Sequence, residues 1–112
     1  MFYTFTQNNT GGEFVVDDKI AHFVVIEAAS AKRAEAKAEK VGIYFSGLGD
    51  CQCCGNRWHH LSSCGNDKGT KRPTAYGEPI RKFLSKKDYG FNYQARIHYK
   101  SGKVVKLAGP KR

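Results

Sequence analysis

The chain has 112 residues, of which 40% are hydrophobic and 26% are charged, and its formal net charge is +9. These values predict one soluble globular domain over residues 1–112 with a core of modest size. They exclude a membrane-spanning protein, because no apolar stretch approaches the length of a span, and we expect no membrane partner. The first residues also lack the basic segment and apolar run of a signal peptide, so we expect no secretion.

The basic excess lies wholly in the second part of the chain. Residues 1–66 contain six Lys or Arg and seven Asp or Glu. Residues 67–112 contain thirteen Lys or Arg and three Asp or Glu. Such asymmetry predicts an anionic partner, which is a nucleic acid, a nucleotide or an acidic protein surface. A solubilising face is the plainer alternative.

The first elements in chain order are short strands. Residues 2–6 and 14–16 predict strands that would form a hairpin across the Asn- and Gly-rich turn at 7–12. Residues 20–28 are apolar on both faces, which predicts a central strand. His22 within it is interpreted as a core histidine.

A helix is predicted over residues 31–41, capped by Ser30 and ended by Gly42. Its apolar stripe has helical spacing and small side chains, which let the helix lie close to a sheet. The stripe consists of Ala31, Ala34, Ala38 and Val41.

The middle of the chain is less regular. Residues 43–45 predict a short strand whose aromatic side chains lie in the core. Residues 46–75 are rich in glycine and polar residues, and a loop of that length needs an internal brace. Residues 80–87 are a short helix or irregular.

The last hairpin has the clearest pattern, because apolar and polar residues alternate from residue 91 to residue 100. A three-residue loop at 100–102, with Gly102 in the left-handed position, would pair Tyr99 with Lys103, Ile97 with Val105, and Ala95 with Leu107. Residues 109–112 are expected to be a frayed tail. The elements together predict an α+β fold: a mainly antiparallel sheet with one packed helix, a metal-braced loop and a C-terminal hairpin.

All four cysteines lie within fourteen residues, in a segment that contains Cys51-x-x-Cys54-Gly55. Clustered cysteines without a secretion signal favour a structural zinc site over a disulfide framework. We predict Cys51, Cys54 and Cys64 as ligands, with His60 or His59 as the fourth and Cys53 as the weaker choice. Trp58 beside them is expected to pack over the sulfurs rather than to stack on bases.

The polar face of the last hairpin, which includes Arg96, His98 and Lys100, is a candidate surface for nucleic acid or a protein partner. A solvated sheet face is the alternative. Further basic residues are expected around it: Lys68, Lys71, Arg72, Arg81, Lys82, Lys86, Lys87, Lys103 and Lys106.

Several motifs resemble a family of small, largely uncharacterised proteins encoded by tailed bacteriophages. The most specific is Cys51-x-Cys53-Cys54-Gly55-x-Arg57-Trp58, and others are Gln7-Asn8-Asn9-x-Gly11-Gly12, Gly42-Ile43-Tyr44-Phe45 and Tyr76-Gly77-x-Pro79-Ile80. The resemblance implies an accessory protein of the bacterial host cytoplasm and implies no reaction. The basic second half, and Cys64 in place of a cysteine near Leu48, depart from the family pattern and leave the shared ligand and the fourth zinc ligand open.

The sequence and the resemblance together predict a non-enzymatic protein that binds and inhibits a host protein or ribonucleoprotein, such as a nucleic-acid-dependent defence complex. Its binding surface would be the basic C-terminal region, and the protein would be a monomer or a small homo-oligomer. One alternative is a zinc module that binds nucleic acid or nucleotide directly. The less favoured alternative is a zinc-braced nuclease using His59 or His60, because no second histidine or asparagine stands on a following helix.

Overall fold

The computed structural model describes residues 1–8, 14–45, 57–85 and 93–108. Their elements, in chain order, are β1 (Phe2–Thr6), β2 (Phe23–Glu27), α1 (Ala31–Val41), a 3₁₀ turn (Leu61–Cys64), β3 (Thr74–Ala75), β4 (Glu78–Pro79), α2 (Ile80–Leu84), β5 (Gln94–His98) and β6 (Val104–Ala108). The predicted α+β class is confirmed.

The main sheet has the strand order β1-β2-β5-β6. β1 pairs with β2 and β5 pairs with β6 in antiparallel fashion, while the two central strands, β2 and β5, are parallel. The sheet is therefore mainly antiparallel, as predicted. Val24, Val25 and Ile26 have no exposed surface, which confirms β2 as a central strand covered on both faces.

Helix α1 has the predicted bounds because both of its ends are capped. The Ser30 side chain accepts a hydrogen bond from the Arg33 N–H at 3.2 Å, and Gly42 ends the helix at φ +116°. Ala34 and Ala38 are fully buried against the first face of the sheet, in a cluster with Val24 and Ile26. Their small side chains permit the close approach of helix and sheet.

Trp58 and Leu61 are buried in the same cluster, so Trp58 packs in the core and presents no exposed ring for base stacking. Its expected contact with the cysteine sulfurs lies outside the described residues. The second face of the sheet is covered by β3, β4 and α2. Its cluster joins Phe23 and Ile97 of the sheet to Ile80 and Phe83 of α2.

The described part of the predicted 46–75 loop is held against β1 by hydrogen bonds. Phe2 and Thr70 form an antiparallel bridge, the Thr4 hydroxyl donates to Thr74 O at 2.7 Å, and Asn66 Nδ2 donates to Thr4 O at 3.1 Å. Hydrogen bonds to the edge strand β1 therefore help to hold residues 66–74 in place.

The C-terminal hairpin has the predicted register. Ala95 pairs with Leu107 and Ile97 with Val105, the Tyr99 N–H donates to Lys103 O at 2.8 Å, and Gly102 has φ +96°. Residues 109–112, predicted to fray, lie outside the described residues.

Two strand predictions were wrong. β1 pairs with β2, and residues 14–16 form no strand because the Gln7 side chain hydrogen-bonds the backbone N–H and C=O of Val15. Residues 43–45 also form no strand. Ile43 is buried after the helix end, but Tyr44 is 39% exposed, so the core role expected of Tyr44 was wrong.

Candidate functional site

The sequence placed Arg96 and His98 on an exposed binding face, and this was wrong. Arg96 is 5% exposed and His98 is 3% exposed, although both lie on the polar side of β5 as the alternation predicted. They are covered by residues 17–20. Arg96 Nε donates to Asp17 O at 2.8 Å, and His98 Nε2 donates to Lys19 O at 2.8 Å.

These contacts give the two side chains a structural role. The Arg96 guanidinium also donates to Ala95 O and to Gln94 Oε1, each at 3.1 Å. Burial lowers the pKa of His98, as it lowers that of His22, which accepts a hydrogen bond from the Gln94 N–H at 3.0 Å. The prediction of His22 as a satisfied core histidine is confirmed.

An apolar groove with a basic rim lies on the opposite, second face of the sheet. Ile80 and Ile97 form part of its floor, and each is at most 3% exposed. Tyr99 and two prolines, Pro73 and Pro79, also line this cavity of about 210 Å³. Arg72 and Arg81, both exposed, complete the lining, and we call this cavity the basic groove.

A backbone hydrogen bond and a ring contact bring together the distant segments that form the basic groove. Pro73 O accepts a hydrogen bond from the Ile80 N–H at 3.1 Å, which holds the segment before β3 against the start of α2. Tyr99 packs edge-on against Phe2, with ring centroids 5.8 Å apart. Arg72 and Arg81 therefore line the same groove although nine positions separate them in the sequence.

Several of the predicted partner-binding residues are neighbours of groove residues along the chain or in the hairpin. Lys71 and Lys82 are exposed and adjoin Arg72 and Arg81 in the sequence. Lys100 and Lys103, also exposed, flank Tyr99 in the hairpin, whereas Lys86 lies outside the described residues. Arg81 was expected among the basic residues around the candidate surface, whereas Tyr99 and the apolar floor were not predicted as binding residues. The alternation of the last hairpin had assigned Ile97 and Tyr99 to its apolar face.

The two histidines proposed as zinc ligands face different neighbours. His59 Nε2 accepts a hydrogen bond from Asn8 Nδ2 at 2.9 Å. His60 Nδ1 lies 3.2 Å from Glu35 Oε2, and the same carboxylate oxygen accepts from the Leu61 N–H at 2.8 Å. A metal-bound histidine commonly directs its second ring nitrogen to a carboxylate, so His60 fits the role of ligand better than His59.

The side chains of the cysteines predicted as zinc ligands lie outside the described part of the structure. Cys51, Cys53 and Cys54 lie in residues 46–56, and only the backbone of Cys64 is described. Among the side chains that are described, no three potential ligands cluster. Zinc therefore stays a prediction, with Glu35 and His60 as the described residues that fit it.

No helix in the described part of the chain is long and apolar enough to cross a membrane.

One protein-family model matches the entire chain. Residues 1–112 match the model of a family described as a domain of unknown function, DUF7296. No curated protein and no solved structure matches the chain. Since the match spans every residue, the chain belongs to the DUF7296 family.

Proposed function

We propose that the protein is a non-enzymatic phage accessory protein that binds an acidic surface of a host protein or ribonucleoprotein and blocks it. The observation that carries the proposal is the basic groove, in which Arg72 and Arg81 flank an apolar floor of Ile97 and Tyr99. Arginine and tyrosine around a desolvated apolar centre are the residues that dominate binding energy at protein interfaces.

The composition of the groove favours an acidic protein over a single nucleic-acid strand. A strand binder uses aromatic rings as exposed stacking platforms. Tyr99 is the one aromatic residue among the described lining residues, and its ring is half-buried against Phe2. The prolines and isoleucines instead fit an apolar anchor side chain, while the two arginines fit neighbouring carboxylates.

Charge around the groove supports the same partner. The exposed Lys71, Lys82, Lys100 and Lys103 extend the positive potential beyond the two arginines. Such a field accelerates encounter with an acidic surface and disfavours basic partners. The direct nucleic-acid module remains the competing hypothesis, because it uses the same charges.

The experiment is affinity capture from bacterial host extract, with and without nuclease treatment, followed by mass spectrometry. The bait is wild type or one of two charge-reversal variants. The groove variant is Arg72→Glu with Arg81→Glu, and the matched control is Lys32→Glu with Arg33→Glu. The control residues are exposed in the first turn of α1, which holds no acidic residue, so the helix dipole tolerates the change.

We expect the same host protein with the wild type and the control, before and after nuclease treatment, and its loss with the groove variant. Capture that disappears on nuclease treatment, with purified DNA or RNA retained by the isolated protein, would support the nucleic-acid module instead. Equal capture by all three baits would exclude the groove as the binding site.

A further inference from the structure

A second cavity, of about 270 Å³, lies between the end of β1 and the turn that joins β3 to β4. Its lining is polar but uncharged in character, with hydroxyl, carboxamide, imidazole and phenol groups. The residues that matter for the argument are Thr6, Asn8, His59, Asn66, Thr74 and Tyr76. Among its described lining residues there is no lysine, arginine, aspartate or glutamate.

The walls of this cavity are fixed by hydrogen bonds between them. Asn66 Nδ2 donates to Thr4 O, the Thr4 hydroxyl donates to Thr74 O, and Asn8 Nδ2 donates to His59 Nε2. Within the described residues, the Thr6 and Thr74 hydroxyls and Asn66 Oδ1 make no hydrogen bond to protein. The cavity therefore presents both donors and an acceptor from a pre-formed frame, as small-molecule sites do.

Tyr76 supplies an exposed aromatic ring to the cavity at a cost in backbone energy. Tyr76 and Gly77 are the two residues of the β3–β4 turn, and both have positive φ, +51° and +81°. Asparagine and glycine are preferred at such positions, and a bulky residue there is an outlier of order 1 kcal/mol. The centroid of the Tyr76 ring lies 5.8 Å from that of Phe23 and 5.3 Å from that of Phe83, so part of the ring packs on the core. The side chain is nevertheless 72% exposed, which leaves the rest of the ring open to a ligand.

We propose that this cavity, which we call the base pocket, binds the nucleobase of a free nucleoside or of an unpaired nucleotide in a strand. Carboxamides such as Asn66 match the paired donors and acceptors on a base edge. The Tyr76 ring offers a face on which any base can stack. The volume lies just below the roughly 300 Å³ lower end for drug-sized ligands, so it suits one base rather than several.

The base pocket is separate from the basic groove, because the two cavities share none of their lining residues. The absence of a cation among its described lining residues places recognition on the uncharged base and not on phosphate. The inference therefore stands independently of the proposed host target.

The test is calorimetric titration with adenosine, guanosine, cytidine and uridine, and separately with single-stranded homopolymers of the four bases. Two variants remove the proposed contacts. Tyr76→Asn relieves the positive φ of the turn but also removes the ring contacts with Phe23 and Phe83, so its folding is checked by thermal unfolding before its affinity is compared. Thr6→Val removes one hydroxyl and keeps a β-branched residue in β1. Tyr44→Asn is the matched control, since Tyr44 is also exposed and lies outside the pocket.

We expect at least one base to bind, with affinity weakened about tenfold or more by Tyr76→Asn. Thr6→Val should weaken it about two- to tenfold, and Tyr44→Asn should leave it unchanged. Binding of nucleosides would identify free nucleosides as the source, and binding of homopolymers alone would identify a strand. The proposal would be overturned if neither nucleosides nor homopolymers bound, or if Tyr76→Asn bound a base as tightly as the wild type. Equal binding of glucose would overturn the choice of a base as ligand.

Discussion

The side chain of Gln7 joins three segments that are distant in the sequence. Its Nε2 donates to Val15 O at 2.9 Å and to Ala21 O at 2.8 Å, while its Oε1 accepts from the Val15 N–H and from Arg57 Nη1. Gln7 is only 4% exposed, so these bonds satisfy a polar group that water does not reach.

Replacing Gln7 by leucine should therefore lower the free energy of unfolding by about 2–4 kcal/mol, because buried backbone and arginine groups lose their partners. Gln7→Glu keeps the two acceptor contacts, but its second carboxylate oxygen would face Val15 O and Ala21 O, which only accept, so at neutral pH this variant should be destabilised as well. Urea unfolding of the two variants measures the difference. A leucine variant as stable as the wild type would show that water replaces the glutamine.

Arg96 belongs to the framework of the sheet, so Arg96→Ala should destabilise the protein by about 1–3 kcal/mol. The exposed Lys103→Ala is the control and should change stability by less than about 0.5 kcal/mol. Thermal unfolding of both variants measures this. If Arg96→Ala unfolded like the wild type and lost only partner binding, Arg96 would return to the binding surface.

His22 and His98 make stability depend on pH. Burial lowers the pKa of both rings below the usual 6.5, so the folded protein holds them neutral. Below about pH 6.5 the unfolded chain binds more protons than the folded one, and stability falls as the pH decreases. Above that pH this contribution is fully present.

Urea unfolding between about pH 7.5 and pH 5 should show this decrease. The double variant His22→Asn with His98→Gln keeps an acceptor towards Gln94 N–H and a donor towards Lys19 O without a titrating ring. Its stability should vary less over the same range. An unchanged slope would assign the pH dependence to other groups.

At the scale of secondary-structure elements, the sequence predicted the elements whose ends are set by residues next to them in the chain. Ser30 and Gly42 fix both ends of α1, and Gly102 fixes the register of the last hairpin. The partner of β1 depended on distant contacts instead. Residues 14–16 have the composition of a strand, but Gln7 occupies their backbone groups, and no local pattern signals that.

The metal prediction also belongs to this scale, since Glu35 of α1 contacts the segment before the 3₁₀ turn. We expect about one zinc ion per chain by elemental analysis, and a lower melting temperature after chelation, because a bound metal stabilises the folded state. His60→Asn should lose the metal, and His59→Asn should keep it. Protein without metal, or an equal loss in both variants, would contradict the role given to His60.

For the molecule as a whole, period-two alternation assigned the residues of β5 to their faces and could not show what covers each face. Residues 17–20 bury the polar side, whereas Arg72 and Arg81 line a groove on the other side, beside Ile97 and Tyr99. The charge excess of residues 67–112 was readable in the sequence. Its arrangement as a groove required α2 and the segment before β3 to meet, which no spacing in the sequence encodes.

The central claim is that the basic groove, and not the overall positive charge, binds an acidic partner. The most direct measurement is the affinity of the captured host protein for the wild type, for Arg72→Glu with Arg81→Glu, and for Lys32→Glu with Arg33→Glu, at several salt concentrations. Both variants lose the same net charge. We predict that the groove variant binds about tenfold or more weakly, while the α1 variant stays within about threefold of the wild type. Equal weakening of the two variants would contradict the claim, because it would show that net charge alone determines binding.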